Sequence, residues 1–409
     1  MGVALRFPFM CWAGKVSRHA QCTGMNSLLL AVVALVLGGV SLFLAVWTVL
    51  PAFRYVFWLI AVVAGEQGLY FGFVGLIAAG LGLMSHSVWG TVGAVLGLIA
   101  FAVSLIPALQ AAQTARRERV RLSLWDYFGS NRQGRAPNPP QTVAFAHPNG
   151  PNTPPLLLDI YQPRPQSSVS DTLLPCLLIV HGGSWKGGDK SDFPRWNRCF
   201  AENGFVVFDI QYRLEPAPNA PLALEDVVAA LAWIHEHGKE YGADSERMAL
   251  LGRSAGGHLA LLGAYTAPSH LRPRAAVALY APTELAWGYH HTYRWDVIGG
   301  KAVLSRFLGG APEEATDAYH AAEPGHYVDT NTPPTLLFHG LRDTLVGPHH
   351  TRGLAKHLEA AQVPHRAVFL PWSHHGFDYF FHGWAAQVVR PILHDFLRKH
   401  VTENTKKVP

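Results

Sequence analysis

The sequence predicts an α/β fold with a mostly parallel sheet, preceded by an all-α membrane region. Two patterns support this prediction. Beyond residue 155, short continuous apolar runs alternate with helical stretches, which is typical of parallel strands covered on both faces. Before residue 110, long apolar runs contain almost no charge. The overall mixture of 49% hydrophobic and 15% charged residues fits a membrane part joined to a water-soluble part.

The membrane region is predicted to contain three spanning helices. Residues 27–50 carry no charge, and further apolar runs cover 55–84 and 88–109. Each run exceeds the roughly 20 helical residues that cross a hydrocarbon core. Buried core helices are the alternative, which the combined length of the runs disfavours. Glu66 interrupts the second run. It marks a helix end at the membrane interface, which we favour, or lies within the helix bundle facing a partner.

The charge distribution argues against nucleic-acid binding. Up to Ser130 there are eight Lys/Arg and three Asp/Glu, and the remainder has 25 of each, so the formal net charge of +5 belongs to the N-terminal region. Basic residues beside membrane spans fit contact with anionic lipid heads. Basic clusters flank both ends of the three predicted spans, so the side of the membrane on which the C-terminal part lies stays open.

The chain is predicted to divide into five parts. The expected strands are 142–146, 156–161, 176–180, 205–211, 248–251, 275–280, 335–339 and 367–370, and the expected helices after the first strands are 193–203, 224–237, 254–265, 349–361 and 384–400. Residues 111–128 are expected to extend the last membrane helix, and 282–332 break the alternation as a candidate cap. The parts are an N-terminal segment (1–26, with the true start at Met1 or Met25), membrane helices (27–110), a juxtamembrane helix and linker (111–136), the sheet domain (137–400) and a polar tail (401–409).

A candidate nucleophile lies at the junction of a predicted strand and helix. The junction reads Gly252-Arg253-Ser254-Ala255-Gly256, a G-x-S-x-G motif. A serine on such a sharp turn needs small neighbours, and the turn lifts its hydroxyl out of the sheet beside a helix N-terminus. The motif alone also fits a glycine-rich turn with an incidental serine.

Two further residues complete a candidate triad. A serine hydroxyl needs a base to take its proton and a carboxylate to orient that base. Asp343 and His375 each follow a predicted strand, where loops converge at one edge of a parallel sheet. The competitors are His374 as the base and Asp378 as the acid, although Asp378 is expected to cap a helix. The order Ser, Asp, His is typical of the α/β-hydrolase arrangement.

A glycine-rich loop is the candidate oxyanion hole. His181-Gly182-Gly183-Ser184-Trp185 follows a predicted strand, and its glycines let backbone N–H groups approach a substrate oxygen. The N–H groups of Gly183, Ser184 and Ala255 are the expected donors. The 22 histidines and four cysteines show no metal-ligand spacing, so no metal is expected.

Together these motifs resemble the esterase branch of the α/β-hydrolase superfamily. The resemblance covers about residues 140–400 and also includes Tyr212-Arg213-Leu214 and His375-Gly376-Phe377. It is closest to hormone-sensitive-lipase-like and feruloyl-esterase-like carboxylesterases. It implies a Ser254–His375–Asp343 triad, an oxyanion loop at Gly182-Gly183, no cofactor and hydrolysis of a small ester through an acyl-enzyme. At position 184 this chain has a serine, where the lipase-like members often carry a third glycine.

The sequence therefore predicts a multi-pass membrane protein with serine carboxylesterase activity on small acyl or lipid-like esters. The expected partners are that substrate and the lipid bilayer. An amidase, a formamidase or an acyltransferase would use the same triad. A catalytically inactive hydrolase fold acting as a membrane-tethered binding module is the alternative from another class. Oligomeric state is left open.

Overall fold

The structure is a computed structural model, and it describes residues 13–129, 132–134, 139–148, 150, 153–163 and 172–402. Residues 1–12, with the start at Met1, and most of the polar tail lie outside the described residues. The chain separates into two compact units. One contains the described residues up to Pro51 together with Val63–Leu109, and the other contains Ala52–Val62 and the described residues from Gln110 onward.

The second unit is built on a sheet that has eight strands within the described ranges. In chain order they are Gln141–Ala146 (β1), Leu156–Tyr161 (β2), Leu174–Val180 (β3), Val206–Ile210 (β4), Ala243–Arg253 (β5), Ala275–Leu279 (β6), Thr335–Gly340 (β7) and His365–Leu370 (β8). Their spatial order is β1-β2-β4-β3-β5-β6-β7-β8. The pairs β1/β2 and β2/β4 are antiparallel and the others are parallel, so the predicted mostly parallel sheet is confirmed.

The central strands are largely buried because helices cover both faces of the sheet. β4 and β6 are buried along their whole length. The helices of this unit are Leu124–Tyr127 (α4), Pro194–Glu202 (α5), Ala220–His237 (α6), Ala255–Thr266 (α7), Leu285–His290 (α8), Gly300–Leu308 (α9), Thr316–Ala322 (α10), His349–Ala360 (α11) and Trp384–Leu397 (α12). The short helices α8 to α10 fill the candidate cap region.

Three helices precede the sheet unit in the described chain: Ala13–Ala45 (α1), Tyr55–Met84 (α2) and Val88–Glu118 (α3). Each contains a stretch long and apolar enough to cross a membrane, namely Met25–Thr48, Tyr55–Met84 and Val88–Glu118. The predicted helical region is confirmed. Glu66 is 1% exposed and directly precedes a kink in α2, where Gln67 has a non-helical φ of −123° and ψ of 18°. Its position relative to the membrane interface stays a prediction.

Glycines bring the helices of the first unit into backbone contact. A Cβ atom on Gly75 would lie 2.4 Å from the carbonyl oxygen of Gly97, and one on Gly82 would lie 2.2 Å from that of Gly90. These distances leave no room for a side chain, so α2 and α3 pack by close backbone approach. At Gly80, by contrast, an added Cβ atom would meet open space.

The segment after α3 packs on the sheet unit. The predicted helix over 111–128 is wrong beyond Glu118, where Arg119 adopts a φ of +58°. Glu118 forms an ion pair with Arg366, and the Tyr127 ring stacks on Trp384 with centroids 4.3 Å apart. The first part of the expected linker is therefore an ordered piece of this unit.

Candidate active site

Ser254 stands between β5 and α7 with a backbone φ of +52° and ψ of −124°. This conformation is costly for a residue with a side chain, and it is held because Ser254 N–H donates to the Leu279 carbonyl at 2.9 Å. The flanking glycines are required sterically. A Cβ on Gly252 would lie 2.1 Å from Gly256 O, and one on Gly256 would lie 2.2 Å from Val180 O. The geometry is that of a nucleophile elbow.

The structure brings Ser254, His375 and Asp343 together. The His375 Nε2 atom lies 2.8 Å from Ser254 Oγ, and its Nδ1 atom lies 2.7 Å from Asp343 Oδ2. The three residues come from the ends of β5, β7 and β8, which meet at the carboxyl edge of the sheet. The arrangement can move a proton from the hydroxyl to the imidazole while the carboxylate fixes the ring.

Asp343 is held ionised although it is buried. Burial alone would raise its pKa, but the neighbouring His375 and His339 lower the pKa below the usual range for an aspartate. Its second oxygen, Oδ1, accepts hydrogen bonds from the N–H groups of Leu345 and Val346, each at 2.9 Å. Both carboxylate oxygens are therefore fixed, and Oδ2 faces His375.

His374, the competing candidate for the base, and two other histidines near the site form different contacts. His374 is buried, which lowers its pKa to about 4, and it forms no hydrogen bond with Ser254 or Asp343. His339 contacts Thr351 Oγ1 and the Val346 carbonyl, and His181 contacts the Gly182 carbonyl. These rings support loops around the site.

The glycine-rich loop lies directly against Ser254. A Cβ on Gly182 would lie 3.3 Å from Ser254 Cβ and 3.0 Å from Arg253 O. Gly183 has a φ of +120°, and Ser184 and Trp185 both have a φ of +55°. Ser184 thus adopts the left-handed conformation that a third glycine would take more easily. Ala255 begins α7, the helix that follows Ser254. The assignment of Gly182, Gly183, Ser184 and Ala255 to an oxyanion hole stays a prediction.

The loop is braced by residues of the Tyr212-Arg213 segment and the cap. The Tyr212 hydroxyl donates to the His181 carbonyl at 3.3 Å, and their rings stack 4.4 Å apart. The Trp185 ring stacks on Phe307 of α9 with centroids 4.1 Å apart. The region 282–332 therefore contacts the glycine-rich loop, as a cap over the site would.

Sequence reasoning missed a buried ion pair beside the nucleophile. Arg253 Nε donates to Asp378 Oδ2 at 2.5 Å, and the Tyr280 hydroxyl donates to Asp378 Oδ1 at 2.5 Å. Arg253 and Asp378 are 2% and 0% exposed. The Tyr280 ring lies 4.5 Å from the His375 ring. The expectation that Asp378 caps a helix is wrong, because its carboxylate balances the arginine. The one available signal was a charged residue inside an otherwise apolar strand end.

The described residues contain no group of three or more His, Cys, Asp or Glu side chains that could hold a metal ion. The candidate triad needs no metal to generate its nucleophile, since the imidazole takes the serine proton.

His258 links α7 to α10 of the candidate cap, and we expect it to make the stability of the fold depend on pH. Its Nε2 atom lies 2.6 Å from Ala322 O, and burial lowers its pKa from 6.5 to about 4. Between these values the unfolded chain binds a proton that the folded chain does not, so the free energy of unfolding falls as pH falls. The expected slope is about 1.4 kcal/mol per pH unit for this one group. The melting temperature of His258→Gln, measured between pH 7 and pH 4, should fall less steeply than that of the unmodified chain. Equal slopes would exclude this role for His258.

The sheet order and the position of Ser254 between β5 and α7 define the fold as the α/β-hydrolase fold. Residues 158–358 match the BD-FAE family. The chain is 32% identical over 237 residues to a probable carboxylic ester hydrolase, LipM, of Mycobacterium tuberculosis, covering 54% of this chain and 53% of LipM. It is 30% identical over 245 residues to the esterase LipQ of the same organism, covering 56% of each chain. The chain thus spans about half the length of these curated relatives.

Solved structures agree on the fold. A Thermogutta terrifontis esterase, Est2, has a TM-score of 0.51 at 23% identity, covering 68% of this chain and all of that one. An acetyl ester-xyloside bifunctional hydrolase from Caldicellulosiruptor lactoaceticus has a TM-score of 0.53 at 21% identity, covering 64% of this chain and 98% of the other. The predicted α/β-hydrolase fold is confirmed, and the chain is similar in sequence to the BD-FAE family and to carboxylic ester hydrolases.

Proposed function

We propose that the protein is a membrane-anchored serine carboxylesterase that hydrolyses small acyl or lipid-like esters. The observation that carries the proposal is the continuous hydrogen-bonded series from Ser254 Oγ through the His375 ring to Asp343, at 2.8 and 2.7 Å. The names of the curated relatives, carboxylic ester hydrolase and esterase, support the same reaction.

In the proposed acylation step, Ser254 Oγ attacks the ester carbonyl carbon while its proton passes to His375 Nε2. The tetrahedral intermediate then collapses, the bond to the alcohol oxygen breaks, and His375 returns the proton to the departing alcohol. Asp343 accepts the Nδ1–H hydrogen bond and stabilises the imidazolium that forms. The products of this half are the free alcohol and an acyl-enzyme on Ser254.

In the deacylation step, water gives a proton to His375 and its oxygen attacks the acyl carbon. Collapse breaks the bond to Ser254 Oγ, which regains a proton from His375, and the carboxylic acid leaves. Backbone N–H groups of Gly183, Ser184 and Ala255 would stabilise the negative oxygen in both halves. The contact of Gly182 with Ser254 supports this role for the loop.

Anchoring in the bilayer is supported by the three apolar helices within the described residues. An enzyme held at a membrane meets amphiphilic esters at high local concentration, which is why lipid-like esters are included in the proposed substrate class.

The proposal is tested by labelling with a fluorophosphonate probe and by assays on matched substrates. A working Ser254 should take up the probe, and acyl esters should be hydrolysed faster than the corresponding formamide, amide and peptide. Absence of labelling in folded protein would contradict the enzyme and favour a binding module. Labelling with faster cleavage of the amide or formamide, or with acyl transfer to an added alcohol in preference to water, would reassign the reaction on the same triad.

A further inference from the structure

A cavity lies away from the candidate triad. Its volume is about 550 Å³, and its walls come from the segment that follows α3 and from helices α5 and α12. Neither Ser254, His375 nor Asp343 lines it. A cavity with this location has no part in the proposed hydrolysis.

The charged lining of this cavity is basic. Arg121, Arg132 and Arg390 face it together with one carboxylate, Asp126. Within the described part of the chain, none of these arginines forms an ion pair with a carboxylate. An arginine without a carboxylate partner in a cavity wall attracts an anionic ligand.

Arg390 is the most enclosed of the three. Its guanidinium lies 4.3 Å from the Phe381 ring, and it donates to Gln133 Oε1 at 3.2 Å and to Ala386 O at 3.3 Å. Burial lowers the pKa of this group. The Asp126 carboxylate attracts this guanidinium, but both of its hydrogen-bond acceptors are neutral, so the desolvated cation gains from an incoming anion.

A histidine on the same wall offers a further unused polar atom. His394 Nε2 is buried, and it has no hydrogen-bond partner among the described residues. A buried polar atom without a partner carries a free-energy cost that a ligand oxygen would remove.

The cavity wall is held in place by hydrogen bonds between residues that are far apart in the sequence. Gln387 Oε1 accepts from Ser123 N–H at 2.8 Å, and its Nε2 donates to Ser123 O at 3.2 Å. Ser123 Oγ accepts from Asp126 N–H at 3.0 Å and caps α4. The arginines are therefore carried by an ordered wall.

Apolar surface adjoins the basic lining. Trp125, on the cavity wall, is 77% exposed, and Leu124 beside it is 60% exposed. This segment begins only a few residues after α3, the last candidate membrane span. Exposed aromatic side chains beside basic residues are typical of membrane–water interfaces.

We propose that this cavity binds the phosphate group of an anionic phospholipid, with Arg390, Arg121 and Arg132 on the phosphate and Trp125 against the apolar part of the lipid. Phosphate accepts several charge-assisted hydrogen bonds at once, which suits a group of arginines better than a carboxylate ligand. The proposal does not depend on the proposed esterase activity.

The test is native mass spectrometry of the full chain in a neutral detergent with three separate probes. The first is a short-chain ether-linked phosphatidylglycerol, which has no carboxylic ester to hydrolyse. The second is the matching dialkylglycerol, and the third is inorganic phosphate. We expect the first probe to bind more tightly than either of the others. Arg390→Gln should weaken its binding about tenfold or more, the loss of a charge-assisted hydrogen bond.

Arg398→Gln is the matched control, because Arg398 lies just beyond α12, is exposed and is absent from the cavity wall. An equal loss in the control would overturn the proposal in favour of general surface charge, as would equal binding of the dialkylglycerol. If inorganic phosphate binds as tightly as the lipid, the cavity is a site for free phosphate and the proposal of a phospholipid ligand is wrong. Should Arg390→Gln fail to fold, the double variant Arg121→Gln/Arg132→Gln must show the same loss.

Discussion

Replacement of Ser254 by alanine is expected to reduce ester hydrolysis about 10⁶-fold in kcat, the size of loss seen when a triad nucleophile is removed. Alanine keeps the Cβ atom and accepts the same backbone conformation, so the elbow should fold. Without Oγ there is no group to attack the ester, although the proposed oxyanion loop would still bind its carbonyl. The measurement is kcat on a chromogenic short-chain ester together with fluorophosphonate labelling.

Ser269→Ala is the control for this experiment, because Ser269 is an exposed serine in a short turn away from the triad. It should keep full activity and full labelling. Activity retained by Ser254→Ala at more than a few per cent would remove this serine as the nucleophile.

Exchange of the two candidate carboxylates for amides should give opposite results. Asp343→Asn should lower kcat about 10⁴-fold with little loss of stability, because an asparagine can hold the wrong tautomer of His375. Asp378→Asn should instead destabilise the fold by about 3 to 5 kcal/mol, because Arg253 would be left as an uncompensated buried charge. The folded fraction of this variant should retain a much larger share of kcat than Asp343→Asn.

The comparison requires kcat corrected for active protein, by titration with the fluorophosphonate probe, and a melting temperature for each variant. The reverse pattern, with Asp378→Asn inactive while folded and Asp343→Asn active, would make Asp378 the orienting acid.

The local sequence pattern was sufficient to predict most of the strands and the candidate site residues that follow them. β2 and α2 have their predicted bounds, since continuous apolar runs and their flanking turn residues depend only on neighbouring sequence. Ser254, Asp343 and His375 could be grouped because parallel strands bring their carboxyl ends to one edge. The hydrogen bonds that join these three side chains could not be predicted from the pattern, because they depend on how the three loops fold.

Contacts between distant residues had no local signal. Arg253 and Asp378 are 125 positions apart, and Ser123 and Gln387 are 264 apart. Nothing in the neighbourhood of Asp378 distinguishes a helix cap from the partner of a buried arginine. The same limit applies to Ser184, whose φ of +55° is not a conformation that serine prefers and had no signal in the sequence.

The enclosed pair of Arg253 and Asp378 restricts how this lineage can change. A descendant that lost only the arginine would hold an isolated anion in its interior, and one that lost only the aspartate would hold an isolated cation. Neither single step preserves a folded hydrolase at low cost. The residue just before Ser254 is therefore tied energetically to one near the far end of the chain, and replacing both together should cost less than replacing either alone.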